Sequence, residues 1–298
     1  MMNGPFQVLA EDGRVRPELE PGLSSDGLRK LYSLMATTRA ADLKALKLQR
    51  QGRMGTFAPS LGHEACQVGS AFALEPKDWA FPYFRDLGAF LTLGLPLKNY
   101  YLYWMGNEEG MRIPAGLNIF TIAVPVGSQI PHAVGCGMAL KYRKEQAAAL
   151  VYFGDGATSE GDFNEALNFA GVFQTPNVFV CINNQYAIST PVRRQTAAPT
   201  IAQKASAYGF EGVRADGNDV LGMLALTRKG VTREEAYRVV QENAMKVWAG
   251  EKSFEDLLKQ DPRIQQWLTN KELADLFNLD HTLKNVDVIF RRVFKKEK

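Results

Sequence analysis

Asp155 and Asn184 carry the side chains of this sequence best suited to holding a cation. One offers a carboxylate and the other an amide oxygen, and each stands just beyond a short apolar run. Hard oxygen donors of this kind suit Mg²⁺, which keeps a few protein ligands and completes its octahedron with water or phosphate oxygens. Gly156, next to Asp155, lets backbone approach a phosphate closely. A helix beginning soon afterwards would offer free N–H groups at its positive end. Alone, Gly154-Asp155-Gly156 and Asn183-Asn184 are ordinary turn chemistry. The elements around them make the pair a candidate metal–diphosphate site.

Those elements are a strand, a helix and a strand. Ala147 to Phe153 and Val178 to Ile182 are continuous hydrophobic stretches, as parallel strands covered on both faces require. Between them, Glu160 to Phe173 reads as a helix with Phe163, Leu167, Ala170 and Gly171 on one face. A crossover of this type returns both strands to the same rim. Asp155 and Asn184 therefore fall at the carboxyl edge of neighbouring strands, where open α/β sheets bind ligands. The predicted fold class is α/β: a parallel sheet flanked by helices, followed by an all-helical carboxyl-terminal segment.

At these residues the chain resembles the thiamine diphosphate motif of the α subunit of 2-oxo acid dehydrogenases, the decarboxylating first component of the pyruvate and branched-chain complexes. The resemblance runs from about Leu28 to about Val220. It includes Arg50-Gln51-Gly52-Arg53-Met54-Gly55, Gly62-His63-Glu64-Ala65, Phe84-Arg85-Asp86, Gly127-Ser128-Gln129 and Ala187-Ile188-Ser189-Thr190-Pro191-Val192. It implies a thiamine diphosphate-binding fold, with Asp155, the Asn184 side chain and the Tyr186 carbonyl as Mg²⁺ ligands. It further implies that Arg85 binds phosphate, with Phe84 beside it, and that Val126, Gly156 and Ala157 contact the cofactor through backbone. The implied activity is oxidative decarboxylation of a 2-oxo acid, pyruvate foremost, with the acyl unit passing to a lipoyl group. The implied partners are a β subunit in an α2β2 assembly, which supplies the glutamate that activates the cofactor, and the lipoyl acyltransferase core.

The apolar and charged fractions are those of a soluble globular protein. The 298 residues suffice for one large or two ordinary domains, and a formal charge of +3 is too small to argue for nucleic acid. Cys66, Cys136 and Cys181 cannot form an even disulfide framework, which favours a reducing, cytoplasmic compartment. No basic segment followed by an apolar core opens the chain, so no secretory signal is expected. The most apolar window, Phe120 to Leu140, contains Pro125, Gln129, Pro131 and His132 and reads as buried segment rather than membrane span.

Along the chain, residues 1–23 lack periodicity and read as an extended arm of the first domain, 1–220. Ser25 is the expected cap of a long helix whose face includes Leu28, Leu31, Tyr32 and Met35 and continues through Leu43 and Leu46. Further helices are expected after Gly62, near Leu97 to Met105 and over Ser128 to Lys141. Asn118 to Val126 is expected extended, Thr190 to Pro199 a loop, and Gly212 to Ala215 a short strand ended by the turn Asp216-Gly217-Asn218-Asp219.

Beyond Val220 helix caps follow in series: Thr232 with Glu235, Ser253 with Asp256, Asp261-Pro262, and Thr269 with Glu272. Ala236, Val239, Val240, Met245 and Val247 recur at near-helical spacing, as do Leu273, Leu276 and Phe277. Residues 221–298 therefore read as an all-helical segment. It resembles the carboxyl-terminal domain of adenylosuccinate lyase through Lys229-Gly230-Val231-Thr232-Arg233-Glu234-Glu235-Ala236-Tyr237, Val240-Gln241, Asn243-Ala244-Met245-Lys246 and Asn285-Val286-Asp287. That lyase's catalytic loop, Ser-Ser-x-Met-Pro-x-Lys-x-Asn-Pro, is absent.

The switch near Val220 removes the Gly-Pro-His-Thr loop with which a dehydrogenase α subunit continues. None of His63, His132 and His281 stands in that context, so no catalytic residue is assigned. His63 is expected to be partly exposed and His132 to sit in the core. Phe84 also stands where the family usually has tyrosine. Three function classes follow: an impaired dehydrogenase α subunit, a non-catalytic cofactor-binding or assembly protein, and a lyase-related helical interaction module associated with purine biosynthesis.

Overall fold

A computed structural model describes residues 4–122, 124–230, 246–247, 250, 252–265 and 268–278. The chain forms two compact units, Met1–Val231 and Thr232–Lys298.

The first unit is built on a parallel sheet of β1 (Trp79–Phe81), β2 (Ala149–Gly154) and β3 (Asn177–Ile182), in that order. Residues 118–120 lie along β1 through a parallel bridge between Ala80 and Ile119, which is as far as the expected extension of Asn118 to Val126 goes. Strand alternation explains the unbroken hydrophobicity of β2. Ala149, Val151 and Phe153 pack with α5 (Gln129–Arg143) and α6 (Gly161–Phe173) through Ile130, Ala133, Phe163 and Leu167. Leu150 and Tyr152 face the other way, onto Cys66 and Ala71 of α2 (Glu64–Ala71) and Ala89 of α3 (Leu87–Thr92). Each fully buried large apolar side chain here contributes about 1.5–3 kcal/mol.

The helix α1 (Ser25–Arg50) is capped by Ser24, whose Oγ accepts from the Gly27 N–H at 3.2 Å; the expected cap, Ser25, is already the first helical residue. Its buried face is Leu31, Thr38, Ala41, Asp42 and Ala45. Leu28, Tyr32 and Leu43 of the expected face are exposed, Tyr32 at 71%. Only one stripe of this largely exposed helix is covered, and small or polar residues fill much of its seam. Another helix, α4 (Leu97–Trp104), places Tyr100 in a cluster with Phe57, Leu87 and Phe90.

The opening arm is tethered through the 216–219 turn. Asp219 Oδ2 accepts from the backbone N–H groups of Val8 and Leu9, and its Oδ1 accepts from Leu221 N at 3.0 Å and Gly222 N at 2.9 Å. One carboxylate thus caps the helical residues 220–230 and binds the arm. Val220, Leu221 and Leu224 are buried against Val8, Leu31 and Val68. Residues 212–214 form no strand; Ala215 alone bridges to Phe6, and the short segment finds no partner long enough for a ladder.

In the second unit, α7 (Phe254–Gln260) begins at Ser253, whose Oγ accepts from Asp256 N at 3.2 Å. A full capping box of Thr269 with Glu272 opens α8 (Asn270–Phe277). Asp261-Pro262 begins turns rather than a helix in the described residues. Leu258, Ile264 and Leu273 form a small core with Phe254, Leu268 and Phe277. Leu276, expected on the packed face, is 71% exposed. Thr232, Glu235, Ala236, Val239, Val240, Met245 and His281 lie outside the described residues.

Candidate metal centre

The three parallel strands deliver their successors to one rim. Gly154 pairs with Ile182, so Asp155 and Asn184 leave neighbouring strands one and two residues later. Residues 155–159 form a tight helical turn before α6, and Asp155 is only 2% exposed. Its Oδ2 accepts from Gln195 Nε2 at 2.8 Å. A Cβ built on Gly156 would stand 2.8 Å from the Ala187 Cβ, so the Asp155 turn is pressed against the hairpin of β4 (Tyr186–Ala187) and β5 (Thr190–Pro191). No larger residue fits there without moving the hairpin.

That hairpin carries Asn184 at its entry. The Asn184 Oδ1 accepts from Tyr186 N at 3.1 Å, one of its two acceptor positions. Val192 N bonds to the Gln185 carbonyl at 2.9 Å. Ladder alternation then makes the next pair, Tyr186 with Pro191, a non-hydrogen-bonded one. The Tyr186 carbonyl is therefore not consumed by the hairpin. Gln185 and Ile188 hold positive φ, 75° and 56°, uncommon for side chains of their size. The donor set is one carboxylate, one amide oxygen and one carbonyl, which fits a small oxygen-seeking dication. Among the described residues there is no cluster of three or more His, Cys, Asp or Glu that would instead suit a softer metal.

Arg85 reaches the rim from β1. Asp42 of α1, raised above the ordinary carboxylate range by burial, accepts from Ser60 N and Oγ at 2.8 and 3.0 Å. This holds the preceding Pro59, whose carbonyl takes Arg85 Nη1 at 2.6 Å. The guanidinium lies 5.6 Å from the Phe84 ring centroid. Buried Asp86 and Gln67 lock the turn from below: Asp86 accepts from Tyr83 N, and Gln67 bonds the Arg85 carbonyl, Asp86 and Gly88 N. Burial drives the Asp86 carboxyl well above its usual range.

Val126 and Gly127 close another side. Gly127 has φ +86°, and a Cβ on it would lie 3.5 Å from Glu160 and 3.9 Å from Ala157. Val126 is exposed and Ala157 buried. The structure thus brings Asp155, Gly156 and Ala157 to the hairpin bearing Asn184 and Tyr186, and sets Gly127, the residue after Val126, beside Ala157. Phe84 and Arg85 follow the neighbouring strand to the same edge.

Sequence reasoning missed four residues. Tyr83 is buried, with its hydroxyl 3.6 Å from where a Gly154 Cβ would be, so a hydroxyl stands one position before Phe84. Burial, then the charge of Asp86, pushes that hydroxyl up. Gln195 and Gln67 carried no signal because amides give no pattern until the fold supplies a partner. Lys204 donates to the Thr158 carbonyl at 2.9 Å beneath the Asp155 turn, and burial lowers its ammonium. His63 is half-buried, its Nδ1 without a hydrogen bond; burial and then the charge of Arg85 lower it. His132, expected in the core, is exposed on α5 with Nδ1 2.8 Å from the Ser128 carbonyl.

The family model described as Dehydrogenase E1 component matches residues 32–238. The chain belongs to that family. A second model, Adenylosuccinate lyase C-terminus, matches residues 222–293, overlapping the first over residues 222–238. The 3-methyl-2-oxobutanoate dehydrogenase subunit alpha of Mycobacterium tuberculosis is 45% identical over 239 residues, covering 78% of this chain and 64% of the relative. The pyruvate dehydrogenase E1 component subunit alpha of Acholeplasma laidlawii is 45% identical over 219 residues, 74% of this chain and 64% of the relative. That of Bacillus subtilis is 43% identical over 229 residues, 76% and 62%. The E1-like chain therefore spans somewhat less than two thirds of the length of these relatives. No helix among its described residues is long and apolar enough to cross a membrane.

Proposed function

We propose that this chain binds thiamine diphosphate with Mg²⁺ and serves as the α-type subunit in oxidative decarboxylation of a 2-oxo acid, pyruvate foremost. The observation that carries this reading is the contact of Gly156 with Ala187, which seats the buried Asp155 carboxylate against the hairpin of Asn184 and Tyr186. Asp155, Asn184 and the Tyr186 carbonyl would hold the cation, and Arg85 would neutralise diphosphate charge. Backbone at Val126, Gly156 and Ala157 would fix the cofactor's position. When bound, thiamine diphosphate supplies the electron sink that lets the carboxylate leave as CO₂, while the protein supplies position and electrostatics. A β subunit would bring the activating glutamate, in an α2β2 arrangement, and a lipoyl acyltransferase core would accept the acyl unit. The three cysteines are free, which supports a reducing cytoplasmic setting. The switch of sequence near Val220 divides the chain, in this reading, into a cofactor-binding domain, 1–220, and a lyase-like helical segment, 221–298.

A second reading is favoured by one observation: no histidine in the 298 residues stands in a Gly-Pro-His-Thr loop, and His132 is occupied on the outside of α5. In that reading the chain binds cofactor, or acts through its helical segment, without turning substrate over.

Calorimetric titration of thiamine diphosphate with and without Mg²⁺ tests the site. Tight binding should require the metal, and Asp155→Ala should abolish that requirement together with the affinity. Equal affinity in the variant would remove the assignment.

A further inference from the structure

Gln195 lies on the loop beyond β5, yet its side chain is turned inward. Its single Nε2 donates twice, to Asp155 Oδ2 at 2.8 Å and to the Thr190 carbonyl at 3.0 Å. Its Oε1 is buried and makes no hydrogen bond among the described residues. Leaving a carbonyl oxygen buried and unpaired is costly, and a loop glutamine with no other task would turn to solvent. The side chain is held for what it donates, and what it donates to is the carboxylate at the centre of the candidate site.

We propose that Gln195 is a positioning residue that makes Asp155 a one-oxygen ligand and thereby sets the site's preference for Mg²⁺ over Ca²⁺. The inference rests on the metal-site reading above. With Oδ2 engaged by the amide, Asp155 presents Oδ1 alone to a cation. One-oxygen coordination suits Mg²⁺, which demands a near-ideal octahedron, whereas Ca²⁺ readily takes both oxygens of a carboxylate. The second bond, to Thr190, anchors the amide to the same hairpin that carries Tyr186, so the ligands on two separate loops are held in one register. Outer partners of this kind typically govern metal affinity by about 10–100-fold.

The test measures Mg²⁺ and Ca²⁺ affinities separately, by calorimetry on the full chain at saturating thiamine diphosphate. Gln195→Met keeps length and volume but donates nothing. It should weaken Mg²⁺ by about 10–100-fold while weakening Ca²⁺ much less, because the freed carboxylate can now turn both oxygens to the larger ion. Gln195→Ala should show the same change in the ratio, and Arg193→Ala, an exposed neighbour, should leave it unchanged. General damage to the loop would weaken both cations alike. An unchanged Mg²⁺-to-Ca²⁺ ratio in both Gln195 variants, with Asp155→Ala still abolishing binding, overturns the role of Gln195 and leaves the metal site standing. Absence of metal-dependent binding in the unaltered chain overturns both.

Discussion

At the scale of single residues, the candidate site depends on how little room surrounds Gly156. Its hydrogen sits where a Cβ would approach the Ala187 Cβ to 2.8 Å, well inside ordinary contact. Gly156→Val should therefore push the Tyr186–Ala187 hairpin off the Asp155 turn. Metal-dependent cofactor binding should fall at least tenfold, about 1.4 kcal/mol, because one displaced oxygen leaves a small cation undercoordinated. Urea unfolding should change far less, since residues 183–191 contribute little to the buried clusters. Calorimetry and a urea titration on the same preparation separate the two effects, and a loss of stability as large as the loss of binding would refute the local explanation.

At the scale of elements, the least expected device is Asp219. A sequence reader sees a turn residue before a helix; the fold makes it the clasp between that helix and an arm more than 200 positions earlier, at Val8 and Leu9. Removing a helix cap costs about 0.5–2 kcal/mol. Leaving buried N–H groups unpaired costs about 1–3 kcal/mol more. Asp219→Ala should consequently destabilise the first unit by about 2–4 kcal/mol. It should also expose the arm to limited proteolysis near Arg14 and Arg16. Asp219→Asn, which keeps both oxygen-side acceptance and shape in part, should lie between. A urea midpoint unmoved by the alanine would show the arm to be independent of the turn.

At the scale of the whole molecule, burial of thiols gives a pH dependence with a definite sign. Burial, helped by the charge of Asp86, pushes Cys66 up to about 12; burial and then Glu145 push Cys136 up to about 11. In the unfolded chain both ionise from their ordinary value of 9.0. Above that pH the unfolded state binds fewer protons than the folded one, so stability falls as pH rises. The contribution is fully present below pH 9.0 and is lost progressively toward about 11 and 12. Urea midpoints should be level up to about pH 9 and decline beyond it; a flat profile to about pH 11 would rule out the buried thiols as a cause. Activity is the other property of the whole. The chain alone should show no appreciable 2-oxo acid decarboxylation, and with a β subunit it should remain much slower than a complete α subunit. A positioned acid–base group commonly contributes on the order of 10²- to 10⁴-fold. The measurement compares this chain with one whose residues from Thr232 onward are replaced by a dehydrogenase α-subunit ending. Residues 220–230 are kept because Val220, Leu221 and Leu224 fill the first unit's core. Equal turnover of the two would show the missing histidine loop to be dispensable.

The strands, the crossover helix and the rim position of Asp155 and Asn184 were legible in the sequence, because continuous apolar runs and turn residues follow from covering a parallel sheet on both faces. The helix caps at Ser253 and Thr269 were legible for a similar reason: they are local, each satisfied within one turn. What needed the tertiary structure was everything set by partners distant along the chain. Tyr32 and Leu276 are apolar at helical spacing yet exposed, since only neighbouring elements decide which stripe of a helix is covered. His132 stands outside the core for the same reason. Gln195 could be matched to Asp155 only once a hairpin had folded back 40 residues later to bring an amide to a carboxylate. Composition and period determine which elements form and which ends meet; packing alone determines which polar atoms face each other, because hydrogen bonds between remote residues leave no periodic trace in the order of the amino acids.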